Sequence, residues 1–363
     1  MRDVQRLQAE LLQWYDSHAR DMPWRASPSP YHVLLSEFML QQTRVETVIP
    51  YFERFVERWP SLHDLAAASE DDVLGAWAGL GYYRRARFLH RAARAASEAG
   101  GLPSDPAELR KLPGVGAYTA GAIASIAWGV PTPLVDGNVE RVLARLHNSD
   151  EVGSTTPGRK WFWARAAELV HQQRPGAMNQ ALMELGATLC TPRKPACEQC
   201  PWRWACQGQH RAEQLPVKAP KKRPQPIREV AGVVRLQDRW LLGKRPPGLL
   251  GGLWEPPRAP LLEGESIGAA AVRAVCEATS LQGTAGRSLG VVTHVFTHRR
   301  LTLDLVEVVA EGVPTAGTYE EVAWSLPGEQ PVSRLAQKVF DAVESLQLDL
   351  YNAVPASRGN SDG

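Results

Sequence analysis

The stretch Leu112–Asn138, LPGVGAYTAGAIASIAWGVPTPLVDGN, decides how the chain reads. Pro113, Gly114 and Gly116 form a tight turn and the run AYTAGAIASIAW follows as a helix, so several backbone N–H groups emerge at one helix N-terminus. Such an end attracts an anion through oriented amides and the helix dipole, and a phosphodiester needs no side-chain charge there. The helix is expected to stop at Gly129, after which VPTPLVDGN delivers Asp136, a single carboxylate behind an apolar run. An ordinary buried helix behind a glycine turn would show the same LPGVG; the carboxylate downstream is what joins a phosphate grip to an acid. Leu112 to Val135 is uncharged for 24 residues, but Pro113, Pro131, Pro133 and four glycines make it a core helix with its flanks rather than a membrane span.

Composition sets the frame. A chain of 363 residues with 44% hydrophobic and 22% charged side chains is expected to hold two globular domains. The net charge of +2 hides an uneven distribution: residues 208–228 carry 6 basic and 1 acidic side chains, whereas residues 229–363 carry 12 and 16. The opening MRDVQRLQAELLQWYDSHAR is amphipathic and lacks the apolar core of a signal peptide, so a cytoplasmic, nucleoid-associated protein is expected.

The first helix is expected to end near Ala19, ahead of a proline-broken loop holding Arg20, Trp24 and Arg25. The segment YHVLLSEFMLQQTRVETVIPYFERF then reads as one long helix or two meeting at Pro50. Glu37 interrupts its apolar side. If buried there, desolvation would keep it protonated near neutrality, as a general acid requires; on the helix's polar side it would be an ordinary solvated carboxylate. Gln41, Gln42 and Thr43 follow, suited either to filling the hole left by an extruded base or to capping a helix. In WAGLGYYRRARFLHRAARAA, Leu80 and Tyr82 sit at a glycine turn ahead of a basic helix, the composition of a wedge that unstacks a duplex.

Four of the five cysteines, Cys190, Cys197, Cys200 and Cys206, fall in one C-x6-C-x2-C-x5-C run. Without an export signal a four-thiolate metal site is favoured over disulfides, and one compact loop suits an iron-sulfur cluster better than the paired knuckles of zinc. Cys276 stands alone and reads as a small buried hydrophobe.

Together, the MPWR loop, SEFMLQQTRVETVIPYF, GLGYYRRAR, LPGVGAYTAGAI, VDGNVERVLAR and the cysteine loop make residues 1–207 resemble the MutY-type adenine DNA glycosylases of the helix-hairpin-helix family. The resemblance implies an all-α catalytic domain with a 4Fe-4S cluster on the four cysteines and Gly114 and Gly116 holding a DNA phosphate. It implies that Glu37 protonates the extruded adenine and that Asp136 stabilises the sugar's positive charge, with or without a transient covalent adduct. Tyr118 and Asn138 would line the same pocket, and Trp24 and Arg20 would stand beside the base. The related endonuclease III branch carries a Schiff-base lysine where this chain has Tyr118, which implies excision without strand scission. A bifunctional pyrimidine-lesion glycosylase and a non-catalytic damage-binding protein are the rival readings.

Residues 208–228, with Pro216, Pro220, Pro224 and Pro226, read as a basic linker that could recruit repair or replication proteins. Beyond it, a hairpin at EVAGVVRLQDRWLLGKR, a helix at SIGAAAVRAVCEATSL, a strand at LTLDLVEVVAE and a closing helix at SRLAQKVFDAVESL give α/β order over 229–350, ahead of a disordered tail at 351–363. This order resembles the Nudix fold. The helix RAVCEATSL keeps only Glu277 of the carboxylates such hydrolases use for magnesium, so pyrophosphatase chemistry is not expected. The resemblance implies instead a reader of 8-oxoguanine, through Phe296, Thr297 and His298 in VVTHVFTHRRLTL. The partner overall is double-stranded DNA carrying an adenine mispair, engaged by a monomer with no membrane involved.

Overall fold

The computed structural model describes residues 3–26, 28–220, 223–246, 248, 250–296 and 298–352, the side chains of 347–352 aside. The chain divides into two compact units, Met1–Pro220 and Lys221–Gly363.

The first unit is all α: α1 Val4–His18, α2 Pro23–Ala26, α3 Pro30–Leu40, α4 Val45–Arg58, α5 Leu62–Ala67, α6 Glu70–Ala76, α7 Arg84–Glu98, α8 Pro106–Leu109, α9 Ala117–Ala122, α10 Gly137–Leu146, α11 Thr156–Glu168 and α12 Pro175–Thr188. Ser29 caps α3 by accepting from the His32 N–H, and Pro30 takes the first turn, where its missing N–H costs nothing. Because α3 is apolar nearly all round, it runs through the core with Leu34, Leu35 and Phe38 buried. The break expected at Pro50 lies instead at Gln41–Arg44, and Pro50 stays inside α4. Gln42 has φ 58°, a left-handed conformation that a right-handed helix cannot carry through.

The glycine turn connects α8 to α9. Gly114 has φ 77°, and a Cβ there would stand 2.5 Å from Phe88 Cβ. Gly116 caps α9 without a side chain, which leaves the first N–H groups of that helix to partners from outside. After Ala122 the helix widens into a π turn over Ile123–Ala127. Gly129, φ 66°, ends it, and the Val130 N–H reaches back to the Ala124 carbonyl at 2.9 Å. The return segment lies so close that a Cβ at Gly121 would meet the Pro133 carbonyl oxygen at 2.4 Å. Asp136 is thereby delivered as the N-cap of α10.

Part of the expected linker belongs to this unit. A 3-10 turn spans Gln209–Gln214, and Ala212 and Leu215 are buried. The buried Arg145 guanidinium holds them, donating to the Ala212 carbonyl at 2.7 Å and the Leu215 carbonyl at 3.2 Å. A strand already begins at Gln225, so the stretch 208–228 carries regular structure at both of its ends.

The second unit has the α/β order expected. Its strands are β1 Gln225–Val233, β2 Arg235–Leu236, β3 Arg239–Lys244, β4 Trp254–Glu255, β5 Arg258–Pro260, β6 Gln282–Val295, β7 Arg299–Glu311 and β8 Glu321–Ser325, with α13 Ile267–Thr279 and α14 Arg334–Asn352. One sheet has the order β5-β1-β7-β6, with β1 and β7 parallel; the other joins β2, β3 and β4, with β8 on β3. Alternation along β7 feeds two cores. Leu301, Leu303 and Leu305 pack with Trp240 and Phe340, while Val306 and Val308 pack with Val275 of α13. Tyr351 and Asn352 close α14; residues 353–363 of the expected tail lie outside the described residues.

The hairpin gives a paired test of stability. Gly114→Ala combines a left-handed backbone with a clash against Phe88, so it should lose about 2–5 kcal/mol and lower the melting temperature by several degrees. Gly116→Ala meets nothing within 4 Å and should melt like the parent. Equal melting of the two variants in a thermal scan would contradict this account of the turn.

Candidate active site and thiolate loop

A cleft of about 530 Å³ opens in the first unit, lined by Arg20, Trp24, Glu37, Gln41, Gln42, Thr43, Tyr118, Asp136 and Asn138. Nine residues singled out in the sequence, from four separate stretches, therefore share one space. Glu37 enters from α3, Tyr118 from the first turn of α9, and Asp136 and Asn138 from the start of α10.

Glu37 is only 6% exposed, and its Oε2 has no hydrogen-bond partner among the described residues. Burial pushes its pKa up to about 7; the Tyr118 hydroxyl works against the rise, the Asp136 charge adds to it, and Arg25 opposes it. The phenol of Tyr118 also stands 3.4 Å from the Met183 sulfur, which fixes the ring between helices α9 and α12. Burial likewise raises the pKa of Asp136, opposed by the Val139 N–H, the Asn138 side chain and backbone N–H, and Arg141. One oxygen of Asp136 accepts from the Asn138 N–H at 3.0 Å and the Val139 N–H at 2.7 Å. The other accepts from the Asn138 amide at 2.8 Å. These bonds come from a helix N-terminus and favour the anion. The two acids thus meet different surroundings: one has a bare oxygen in an apolar wall, and the other is gripped by donors.

Glu184 on α12 was not anticipated from the sequence, yet it organises one wall. It is 1% exposed and accepts from Arg20 Nε at 2.5 Å and Arg25 Nη2 at 2.8 Å. Burial works to raise its pKa, but the Arg20 hydrogen bond and the Arg25 charge outweigh that and hold it below the usual carboxylate range. The signal was present: Glu184 interrupts the apolar run ALMELGA much as Glu37 interrupts its own. Trp24 is buried at 7% exposure and stacks edge-on to Phe52, so it is both a core residue and a wall of the cleft.

The two residues at the second glycine turn separate. Leu80 is a core residue, 6% exposed, which corrects its expected place on the tip; the turn folds it back into the main hydrophobic cluster, its N–H donating to the Trp77 carbonyl at 3.1 Å. Tyr82 is 58% exposed. In the second unit, the Phe296 ring stacks edge-on to His294 at 4.7 Å and His298 is exposed beside it, while Thr297 lies outside the described residues. Glu277 of α13 pairs with Arg273 at 3.3 Å.

All four loop cysteines are free thiols around one cavity, which Arg145 and Arg203 also line. Burial pushes the Cys200 thiol up to about 12 and raises Cys197 as well, so bound cationic metal is what would hold these sulfurs as thiolates. Among the described residues no set of three or more His, Cys, Asp or Glu side chains is arranged to hold a metal ion. Four soft donors ringing a cavity fit a wider, multi-iron group. Arg145 steadies the loop, donating to the Cys190 carbonyl at 3.1 Å, the Thr191 carbonyl at 2.7 Å and the Cys190 sulfur at 3.3 Å. Arg141 joins the loop to the cleft, reaching the Cys190 carbonyl at 2.7 Å and the Asn138 amide oxygen at 2.8 Å.

Comparison with known proteins agrees with both units. Residues 35–163 match the HhH-GPD superfamily of base excision DNA repair proteins, residues 190–203 the iron-sulfur binding domain of endonuclease III, and residues 230–342 the NUDIX domain. The solved structure of a thermostable thymine-DNA glycosylase aligns with 57% of this chain and 96% of its own, at 27% identity and a TM-score of 0.53. The adenine DNA glycosylase of Arabidopsis thaliana is 38% identical over 85% of this chain and 58% of its own length. That of Homo sapiens is 37% identical over 95% of this chain and 75% of its own. The chain belongs to the adenine DNA glycosylase family.

Proposed function

We propose that the chain hydrolyses the N-glycosidic bond of adenine mispaired with 8-oxoguanine or guanine in duplex DNA, without cutting the strand. The observation that carries this reading is the desolvated Glu37 facing the same cleft as the hydrogen-bonded Asp136. A carboxyl with a pKa of about 7 keeps its proton on about half of the molecules in neutral solution and can pass it to N7 of an extruded purine, so that the base leaves neutral. Asp136, fixed by three donors, meets the positive charge that grows on the sugar, and water completes the hydrolysis. Tyr118 has a phenol where a lyase would need an amine, and a phenol forms no Schiff base with the sugar.

Around this centre, the Gly114–Gly116 turn would hold a backbone phosphate and the exposed Tyr82 would wedge the duplex. Gln41, Gln42 and Thr43 would fill the space that the extruded base leaves. Glu184 and Arg25 stand on the cleft wall with a fixed acceptor and donor, suited to the edge of a base. Cys190, Cys197, Cys200 and Cys206 would hold a 4Fe-4S cluster, which when bound cross-links the loop as a structural staple. The second unit would read the lesion: α13 offers only Glu277, already paired with Arg273, which does not suit metal-assisted hydrolysis, whereas Phe296, half-buried against the core of this unit, and the exposed His298 flank the turn between β6 and β7. The reading includes a monomer acting in the cytoplasm at the nucleoid, with protein partners reached through the basic stretch 208–228. No helix among the described residues is long and apolar enough to cross a membrane.

Glu37→Gln and Asp136→Asn should each lose about two to four decades of single-turnover excision rate while binding duplex almost normally. In the parent protein the chemical step should slow as pH rises through about 7, because deprotonation removes the acid, and Glu37→Gln should flatten that limb. A parental rate in either variant would remove that residue from the mechanism.

Protein purified without oxygen should contain iron and absorb broadly at the blue end of the visible spectrum, and Cys200→Ala should lose that absorbance. Stoichiometric zinc without iron would overturn the cluster assignment. Phe296→Ala in the full chain should slow excision opposite 8-oxoguanine by about one to two decades more than opposite guanine, the scale of one or two lost contacts to a base edge. An equal slowing on both duplexes would leave the second unit as a source of general affinity alone.

A further inference from the structure

Arg85 sits in the first turn of α7 and is 7% exposed. Among the described residues its hydrogen-bond partners are carbonyls and a hydroxyl rather than carboxylates, and its guanidinium also lies over the rings of Trp77 at 5.3 Å and Tyr82 at 5.5 Å. Nη1 donates to the carbonyls of Phe38 at 3.1 Å, Met39 at 2.8 Å and Gln41. Nη2 donates to Thr43 Oγ1 at 3.0 Å and to the carbonyls of Leu80 and Gly81, both at 3.2 Å. The first group contains the orphan carbonyls at the C-terminus of α3, where a cation also meets the negative end of the helix dipole. Leu80 and Gly81 belong to a different loop. A cap for α3 alone would not need to reach them.

What lies beside these acceptors gives the reach a purpose. Gln42 falls between the Gln41 carbonyl and the Thr43 hydroxyl, and Tyr82 follows the Gly81 carbonyl directly. Both have left-handed backbones, φ 58° and φ 50°, which non-glycine residues adopt only under surrounding constraint. Gln42 lines the cleft and Tyr82 is the exposed ring of the second turn. The Tyr82 carbonyl also accepts from the Arg85 N–H at 2.8 Å, so backbone and side chain of one residue hold that turn from two directions. Burial lowers the Arg85 pKa to about 10, which still leaves it a cation at neutral pH.

We infer that Arg85 is a positioning residue that locks Gln42 and Tyr82 into one double-tipped element, so that the cleft-lining amide and the exposed ring engage a duplex as a unit. The inference rests on the proposed action on duplex DNA. It differs from a packing role because it predicts energetic coupling between two residues on separate loops. A planar fork can bridge both loops, whereas a lysine ammonium is a point donor on a flexible stem and satisfies one at a time.

The test is a pair of mutant cycles on the full chain, read as single-turnover excision rates on an adenine:8-oxoguanine duplex. Gln42→Ala and Tyr82→Ala should each slow excision. The double variant should be faster than the product of the two effects by about fivefold or more, because either change alone already loosens the shared element. In an Arg85→Lys background the effects should become multiplicative. Multiplicative effects in the parent background, or the same coupling kept in Arg85→Lys, would overturn the inference while leaving the two tips as DNA contacts. Single variants that both excise at the parental rate would remove those contacts and the inference with them. Should Arg85→Lys fail to fold by circular dichroism, the parent-background cycle decides the question by itself.

Discussion

The proposed chemistry of the first unit depends on keeping one carboxyl, Glu37, out of water beside another, Asp136, that is gripped by donors. Glu37 is driven toward neutrality by burial, and the nearby Asp136 charge pushes it the same way. Two close carboxylates cannot both ionise cheaply, so the protein gives three hydrogen-bond donors to Asp136 and leaves Glu37 desolvated with the Tyr118 hydroxyl beside it. The local folding follows from that division. A helix that is apolar nearly all round carries Glu37 into the core, while a return segment pressed against Gly121 brings Asp136 to a helix N-terminus, where amides are already waiting.

The second recurring device is a buried guanidinium that binds carbonyls. Arg85 gathers the end of α3 and the Tyr82 turn, Arg141 spans from Asn138 to the cysteine loop, and Arg145 ties that loop to the 3-10 turn at Gln209–Gln214. Loops carry many orphan carbonyls and few donors, and a guanidinium supplies five N–H groups in a rigid fork. Irregular segments around the cleft therefore become rigid without being rebuilt as helix or sheet. Rigid support of this kind is what a site with close geometric demands needs.

Much of this was legible in the sequence because the determining signals are local. The glycine turn, the lone Asp136, the out-of-place Glu37 and the cysteine spacing each sit within one short stretch, and the resemblance they carry joined them correctly into two units of the expected classes. Long-range partnerships were not legible. Glu184 had the same signature as Glu37, a carboxylate in an apolar run, but its meaning comes from Arg20 and Arg25, some 160 residues away. Leu80 looked like a tip because it follows a glycine turn, and only the packing shows that the turn sends it inward. Pro50 read as the place where two helices could meet, yet the break falls at Gln41–Arg44, beside carbonyls that Arg85 captures. The stretch 208–228 read as a linker from its prolines, although Leu215 and Ala212 are held by a cation about 70 residues upstream.

In the proposed reaction, two carboxyls in opposite protonation states release a purine base and leave the strand whole. It is tested most directly by identifying what leaves the DNA when the full chain meets a set of duplexes containing adenine opposite 8-oxoguanine, adenine opposite guanine, thymine opposite guanine, and fully paired bases. Free adenine is expected from the first two alone, with an abasic strand that stays intact until base or heat is added. Release of a pyrimidine, or a strand already cut in step with base release, would contradict it.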